Sequence, residues 1–331
     1  MMRLSKMSCC LMVCFASHAA YAVDAPAEKD FSYQVQKGDN LSRLTAEVLD
    51  TPSRWNAVAK YNKLPNANLI YPAQVLHIPF AWLKNDAAQA RIEALSGEVK
   101  LNGQPAHVGD VVKQGDQLET ASAASLRMTL PDGSTLNMLE KTQLEAKDLQ
   151  QKKRGNIFSA IFRLTTGRID ALKKKYPDGQ SPLRIQALHG TIGVRGTHFR
   201  VGQEGENTLA EIEQGLVGFE SDATKPALAL AGGQGTLADG VHPAEVITLL
   251  PAPTYPTLPD QFPANAVKFV MPEMAGATAY RGEVAKDEAY TQIVAPVSAK
   301  GAEVNISGLA EGSYWLRLRA IDEHGLQGLE A

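Results

Sequence analysis

The sequence predicts a multidomain, mainly β protein: a small βααβ module near the N terminus, a β-rich middle, and a β-sandwich-like C-terminal region. Three observations carry this. Residues 33–79 read as strand, helix, helix, strand. Residues 92–250 are crowded with short alternating apolar runs set between glycine-containing turn pairs. A proline-rich stretch at 251–263, PAPTYPTLPDQFP, then leads into another alternating region at 264–331. A chain of 331 residues has room for several domains. A composition that is 44% hydrophobic and 21% charged belongs to folded globular structure rather than to disorder.

Residues 1–22 are expected to be a secretory signal. Arg3 and Lys6 supply its positive end, Leu11 to Ala16 a short apolar core, and Ala20-Tyr21-Ala22 an A-x-A cleavage site. The apolar run is too short to span a bilayer, and no later run is longer. Cys14 would serve a lipoprotein, but Val13 before it is a poor fit to the small residue expected there. The three cysteines, Cys9, Cys10 and Cys14, all lie in this leader, so the mature chain is expected to hold no disulfide and no thiol nucleophile. Loss of Arg3 and Lys6 leaves 31 basic against 36 acidic residues, a net charge of −5. That mild acidity gives no electrostatic case for nucleic-acid binding.

In the first module Tyr33 and Val35 alternate as a half-buried strand would. Gly38-Asp39-Asn40 turns the chain, and Asp39 or Asn40 can cap a helix. Leu41, Leu44 and Val48 form one apolar stripe. Thr51-Pro52 reads as an N-cap with proline at the first helical position, and Trp55, Val58 and Ala59 give a second helix its buried face. Leu76 and Ile78 then share one face of a closing strand that stops at Pro79. On these residues, segment 31–80 resembles a LysM module. The resemblance implies binding to peptidoglycan or another N-acetylglucosamine-containing glycan. It places the groove between Gly38, Asp39, Asn40 and Leu41 on one side and Leu69, Ile70, Tyr71 and Pro72 on the other. The alternative is that these residues only cap, turn and pack the fold; for Leu41 and Ile70 both roles stand open. Ala73 departs from the family, which usually has glycine there. One copy is present, and single modules of this kind bind weakly because avidity comes from repeats.

After a short linker expected near residues 80–86, turn signals multiply: Ser96-Gly97, Asn102-Gly103, Gly109-Asp110, Gly115-Asp116 and Asp132-Gly133. Val99 and Leu101, and Leu126, Met128 and Leu130, alternate between them. A small motif recurs as SGEVKL at 96, TGRIDA at 166 and QGLVGF at 214, a glycine turn feeding a strand each time. The segment IQALHGTIGVRGTHFRV at 185–201, with GEVKLNG and LRMTLPDGSTLNM upstream, resembles a FecR domain over roughly 94–201, with a β-rich extension to about 250. Glycines 190, 193 and 196 there permit close backbone approaches. Arg195 between them is expected to pin strands together, with an outward role toward a partner as the alternative. Regulators of that family carry a cytoplasmic tail and a membrane span before this domain. Here a leader and a LysM-like module stand in their place, so the resemblance implies a sensing or partner-binding domain without the sigma-factor role.

Residues 152–176 hold eight basic residues and one acidic, Asp170, with Ile157, Phe158, Ile161 and Phe162 at helix-like spacing. They read either as a basic amphipathic element for an anionic membrane or wall polymer, or as a helix or strand whose aromatics fill the β core. The C-terminal region, ending LAEGSYWLRLRAIDEHGLQG, resembles a fibronectin type III-like sandwich. Tyr314, Leu316 and Leu318 point one way there, and Trp315, Arg317 and Arg319 the other. The chain stops just after Gly328, before the last strand expected, so the domain is either incomplete or keeps an open edge.

Wall enzymes often carry LysM modules, so catalytic patterns matter. His77, His107, His189, His198, His242 and His324 are scattered without H-x-H or H-E-x-x-H spacing. His189 and His198 lack an acidic third ligand at motif spacing and are expected in turns or the core. No G-x-S-x-G or S-x-x-K motif stands out, and glycosidase carboxylates leave no local signature. The expectation is a non-catalytic binding scaffold with no catalytic residue, cofactor or metal. It would sit in the periplasm of a Gram-negative bacterium, tethered to peptidoglycan, with an envelope protein as partner. The alternatives are a FecR-related sensor or signal-transduction accessory, and a wall hydrolase of unrecognised type.

Overall fold

A computed structural model describes residues 30–152, 158–174, 182–194, 196–221, 223–259, 261–263 and 267–331. The leader at 1–22, Ile157 and Arg195 lie outside these residues, as do the roles expected of them.

The strand Asp30–Gln34 pairs antiparallel with Val75–Pro79. Between them run α1 (Leu41–Val48) and α2 (Trp55–Tyr61). Asn40 caps α1, its side-chain oxygen accepting the Arg43 amide at 2.8 Å. Pro52 opens a short 3₁₀ turn ahead of α2, and Thr51 makes no side-chain cap. The apolar stripe Leu41, Leu44, Val48 meets Val58, Leu76 and Ile78 in a small core of its own. That core also takes in Leu83 and packs Trp82 against it. The stretch expected as a linker is therefore structured. Leu83 bridges to Leu49, and Asn85–Ala87 pairs as a strand with Gln150–Lys152.

Residues 85–248 form one closed sheet folded into two layers. The strand Phe158–Leu172 belongs to both. Its first half pairs with Gln143–Lys152 and, in parallel, with Leu183–Gln186. Its second half pairs with Thr135–Met138 and His198–Glu204. Gly167, with φ +86°, marks the crossing, and a Cβ there would lie 2.4 Å from Thr142 Oγ1 and 2.6 Å from the Lys141 carbonyl. The recurring glycine motif has the same meaning at its other two sites. Gly97 joins Ala90–Ser96 of one layer to Val99–Leu101 of the other, and Gly215 joins Asn207–Gln214 to Leu216–Ser221. Both carry positive φ, and both face a neighbour within 3 Å of where a Cβ would stand. The motif marks sheet-switching corners.

This topology decides between the two readings of the basic segment over its described residues. Phe158, Ala160, Phe162 and Leu164 point inward at period two, and all are buried. A spacing of four residues fits both a helix and one face of a strand, so Phe158 and Phe162 alone could not separate the two. Of the two readings, the aromatics fill the core, and among the described residues of this segment the backbone is strand rather than helix. Lys173 is buried against Asp132.

In the C-terminal region Val267–Val270 pairs with Glu303–Ile306, and a second sheet runs in the order Ile293–Lys300, Ala279–Ala285, Trp315–Ile321, Gln327–Glu330. The two sheets enclose Met271, Tyr280, Val297, Val304 and Leu318. Gln327–Glu330, read from the sequence as the turn after the last strand, forms the edge strand of this sheet. Tyr255 ties the proline-rich stretch to this sheet by donating its hydroxyl to the Leu316 and Ala331 carbonyls at 3.2 and 3.1 Å. Among the described residues no helix is long and apolar enough to cross a membrane.

Candidate functional site

The strand register puts both expected glycan-binding loops at one end of the first hairpin. The chain leaves Asp30–Gln34 into the Gly38 turn and returns to Val75 from the loop at 69–74. Val35 stitches the two together: its amide donates to the Gln74 carbonyl at 2.8 Å, and its carbonyl accepts from Ala73 N at 2.8 Å. Ala73 has φ +69°, the conformation a glycine would take without strain.

The eight candidates divide by what their side chains do. Asp39 is engaged internally, accepting from the Tyr33 hydroxyl at 2.7 Å and the Gln36 amide at 2.8 Å. Asn40 is the α1 cap. Leu41 is 3% exposed, so its side chain is core and offers nothing to a sugar. Ile70 is half-buried against the same core. Gly38 is open, with nothing within 4 Å of where a Cβ would be. Leu69 and Tyr71, 49% and 59% exposed, are the apolar surface that remains, with Pro72 exposed beside them. The Tyr71 amide donates to Gln74 Oε1 at 2.9 Å, which fixes the loop beneath that ring. Gln74 is a positioning residue the sequence reading missed.

A second arrangement was not anticipated. The outward face of one layer of the middle unit meets the outward face of the C-terminal four-stranded sheet, and the contact between them is ionic. From the middle unit come Arg168 and Asp170, His198 and Arg200, Glu204, Glu211 and Glu213; from the C-terminal sheet come Arg281, Glu283, Arg317, Arg319 and Glu330. With His198 protonated, six cations face six anions. Arg168 donates to Glu211 at 2.7 Å, Glu204 at 2.8 Å and the Gly325 carbonyl at 2.9 Å. Arg200 pairs with Glu211 and Glu213 and donates to the Gln327 and Gly328 carbonyls at 3.0 and 2.8 Å. Arg319, fully buried, reaches Glu283 at 3.1 Å and Glu330 at 2.7 Å, with Asp170 at 3.4 Å. Arg317 donates to Glu283 at 2.7 Å and lies 4.3 Å over the Tyr290 ring. A small apolar cluster of Leu209, Leu249 and Leu326 closes one edge of the contact.

The protonation states follow from this geometry. Burial opposes charge on His198, but hydrogen bonds to Asp170 and Glu213, at 2.9 and 2.8 Å, raise its pKa to about 10. Burial would likewise raise Asp170; the His198 hydrogen bond and the charges of Arg317 and Arg319 outweigh it and hold this carboxyl far below the usual range. Glu213 is pulled down to about 2, against burial, by His198 and Arg200. His198, Glu213 and Glu330 bring potential ligand atoms within 4.8 Å of one another, which is metal-like spacing. Their oxygens already face Arg200 and Arg319, so the charge a metal would neutralise is neutralised by guanidinium. His189, the other histidine of the pair, lies 3.6 Å from Glu206 at the surface.

Comparison with known proteins fits two of these units. The profile of the LysM domain matches residues 33–79, and that of FecR protein matches residues 116–218. No curated protein matches the chain. Two crystal structures of a candidate anti-sigma factor from Parabacteroides distasonis align with 40% of this chain and 59% of that one, at 14% and 15% identity with TM-scores of 0.32 and 0.33. This chain thus aligns with less than two thirds of that protein, and similarity so low carries no argument about activity. The chain carries a LysM domain followed by a FecR domain within a mainly β architecture.

Proposed function

We propose that this is a non-catalytic, exported envelope protein that its LysM domain tethers to peptidoglycan, with residues 85–331 presented as a docked β body. The single observation behind the tether is the exposed apolar ledge of Leu69 and Tyr71 beside the open Gly38 turn. Amide-bearing sugars are held by an apolar wall against the ring and acetyl methyl, with backbone groups alongside. The leader at 1–22 and the LysM domain together support a periplasmic location. The C-terminal unit, two β layers around one core, serves in this reading as a fibronectin type III-like surface for an envelope partner.

The test is co-sedimentation of residues 23–331 with peptidoglycan sacculi, with the supernatant assayed for muropeptides. Tyr71→Ala is expected to lose at least half of the bound fraction while melting like the parent, because the ring is mostly solvent-exposed. Binding that survives in Tyr71→Ala and Leu69→Ala alike would remove the glycan reading. Released muropeptides would replace the scaffold with a hydrolase. A second reading, a signal-transduction accessory, draws on the FecR match at 116–218. Periplasmic crosslinking of that domain to a transmembrane receptor or regulator would favour it.

A further inference from the structure

Two cavities of about 260 and 250 Å³ adjoin in the seam between the middle unit and the C-terminal sheet. Ser96, Ser125, Ile293 and Val294 line both. In the larger, Lys141, Arg168 and Arg281 face Glu140, Glu204 and Glu283, a balanced set. The smaller differs: the charged side chains on its wall are Arg127 and Lys286, both cations.

Arg127 is poorly satisfied. Its side chain is 19% exposed, yet its closest polar partners are Asn137 Oδ1 at 3.5 Å and Glu93 at 3.6 Å, and its Nε is buried without a hydrogen-bond acceptor. Asp287 lies near enough to feel its charge, but that carboxylate accepts the Thr291 and Gln292 amides. Arg168 and Arg200, by contrast, each hold acceptors at 3.0 Å or closer. A guanidinium offers five donors in a planar fork that fits a carboxylate in two places at once. Leaving such donors unpaired in a sheltered site is costly, and a ligand anion removes that cost. Leu95, Ile293 and Val294 provide an apolar wall next to it.

We propose that this seam binds a small organic carboxylate, its carboxylate on Arg127 and a short apolar body against Leu95, Ile293 and Val294. Lys286 at the rim draws the anion in. Such a ligand touches both units, so it stabilises the docked arrangement by mass action. The proposal is independent of glycan binding by the LysM domain, and either can fail without the other.

Calorimetric titration and thermal melts of residues 23–331 test it, with N-acetyl-alanyl-alanine as the carboxylate probe and inorganic phosphate as an anion without an apolar body. The peptide is expected to bind with a Kd at or below about 1 mM and to raise the melting temperature. Arg127→Gln should weaken binding by roughly tenfold or more, and Lys286→Gln by a smaller factor. Val294→Trp fills the cavity without altering Arg127 and should abolish binding, which covers the case in which Arg127→Gln fails to fold. No binding of the peptide to the unaltered protein at about 10 mM would overturn the proposal. So would equal binding by the parent, Arg127→Gln and Val294→Trp. Phosphate binding through Arg127 with the peptide excluded would overturn the carboxylate assignment.

Discussion

Replacing Arg319 with leucine should undock the C-terminal unit. Arg319 is fully buried, and its guanidinium faces Glu283, Glu330 and Asp170, with Glu213 at 3.8 Å from Nε. Removal leaves five cations against six anions in a layer shielded from water. An exposed pair would lose about 1 kcal/mol or less. Breaking one side of a buried pair costs about 3–5 kcal/mol, because the stranded carboxylates keep their desolvation penalty. For a unit of fewer than about 100 residues that lowers the midpoint by at least about 12 °C. The assay is differential scanning calorimetry at pH 6 with limited proteolysis of the 251–263 stretch. Two separated transitions and new cleavage in that stretch are expected where the parent gives one transition. Adding Glu283→Gln to Arg319→Leu should recover part of the loss, since the two side chains are directly coupled. A single transition within about 2 °C of the parent would show that the layer behaves like surface charge, and the reasoning would fail.

Acid and alkali should weaken docking from opposite sides. His198, raised to about 10, contributes fully below its ordinary 6.5 and loses that contribution as pH climbs through 10. Glu213, lowered to about 2, contributes fully above 4.5 and loses it as pH falls toward 2. Urea midpoints for residues 85–331 should therefore plateau between about pH 4.5 and 6.5 and fall on both sides, and His198→Phe should flatten the alkaline limb. Gly167→Ala should cost at least about 2 kcal/mol by urea denaturation, from left-handed strain plus the collision with Thr142. Gly103→Ala, also at positive φ but with open space around it, should cost about 1 kcal/mol and serves as the comparison. Asn40→Ala should lower the stability of the LysM domain by about 1 kcal/mol, read from its own melt.

Local features of this fold were legible because local physics sets them. The Asn40 cap, the stripe Leu41, Leu44, Val48 and the alternation Leu126, Met128, Leu130 all follow from backbone geometry and side-chain period. The recurring glycine was visible as a motif, but its role depends on which strands it joins. Gly97, Gly167 and Gly215 are corners only once two layers exist. The loop at 69–72 is a candidate by resemblance, whereas Leu41 drops out because the residue that begins a helix stripe is the one the core takes. The ionic layer was hidden for a clearer reason. Arg168-Ile169-Asp170, His198-Phe199-Arg200, Glu211-Ile212-Glu213 and Arg317-Leu318-Arg319 each alternate polar and apolar residues, the pattern of a strand with one polar face. Period-two alternation says which side chains share a face, and it is silent on what covers that face. The seam cavity is invisible for the same reason, since Arg127 and Val294 are far apart in the chain.

The ionic character of that contact bears on how the protein reaches its folded state. Each β unit has an apolar core of its own, with Phe162, Phe199 and Phe219 in one and Tyr280, Val297 and Leu318 in the other. Had the facing surfaces been apolar as well, each unit would expose a large sticky sheet face until the other had formed, a hazard for a folding chain. Charged faces remain soluble apart and become costly only when they meet out of register, so they favour one docked arrangement over others. The linker sharpens this selection. Tyr255 and Leu250 bind it to the C-terminal sheet, which limits the approaches open to the two faces. The same register opens the seam beside Arg127. Opposite charges that fix the contact at Arg200, Arg317 and Arg319 thus leave one guanidinium at the margin with only long contacts to Asn137 and Glu93, where an anion from solution can complete the set.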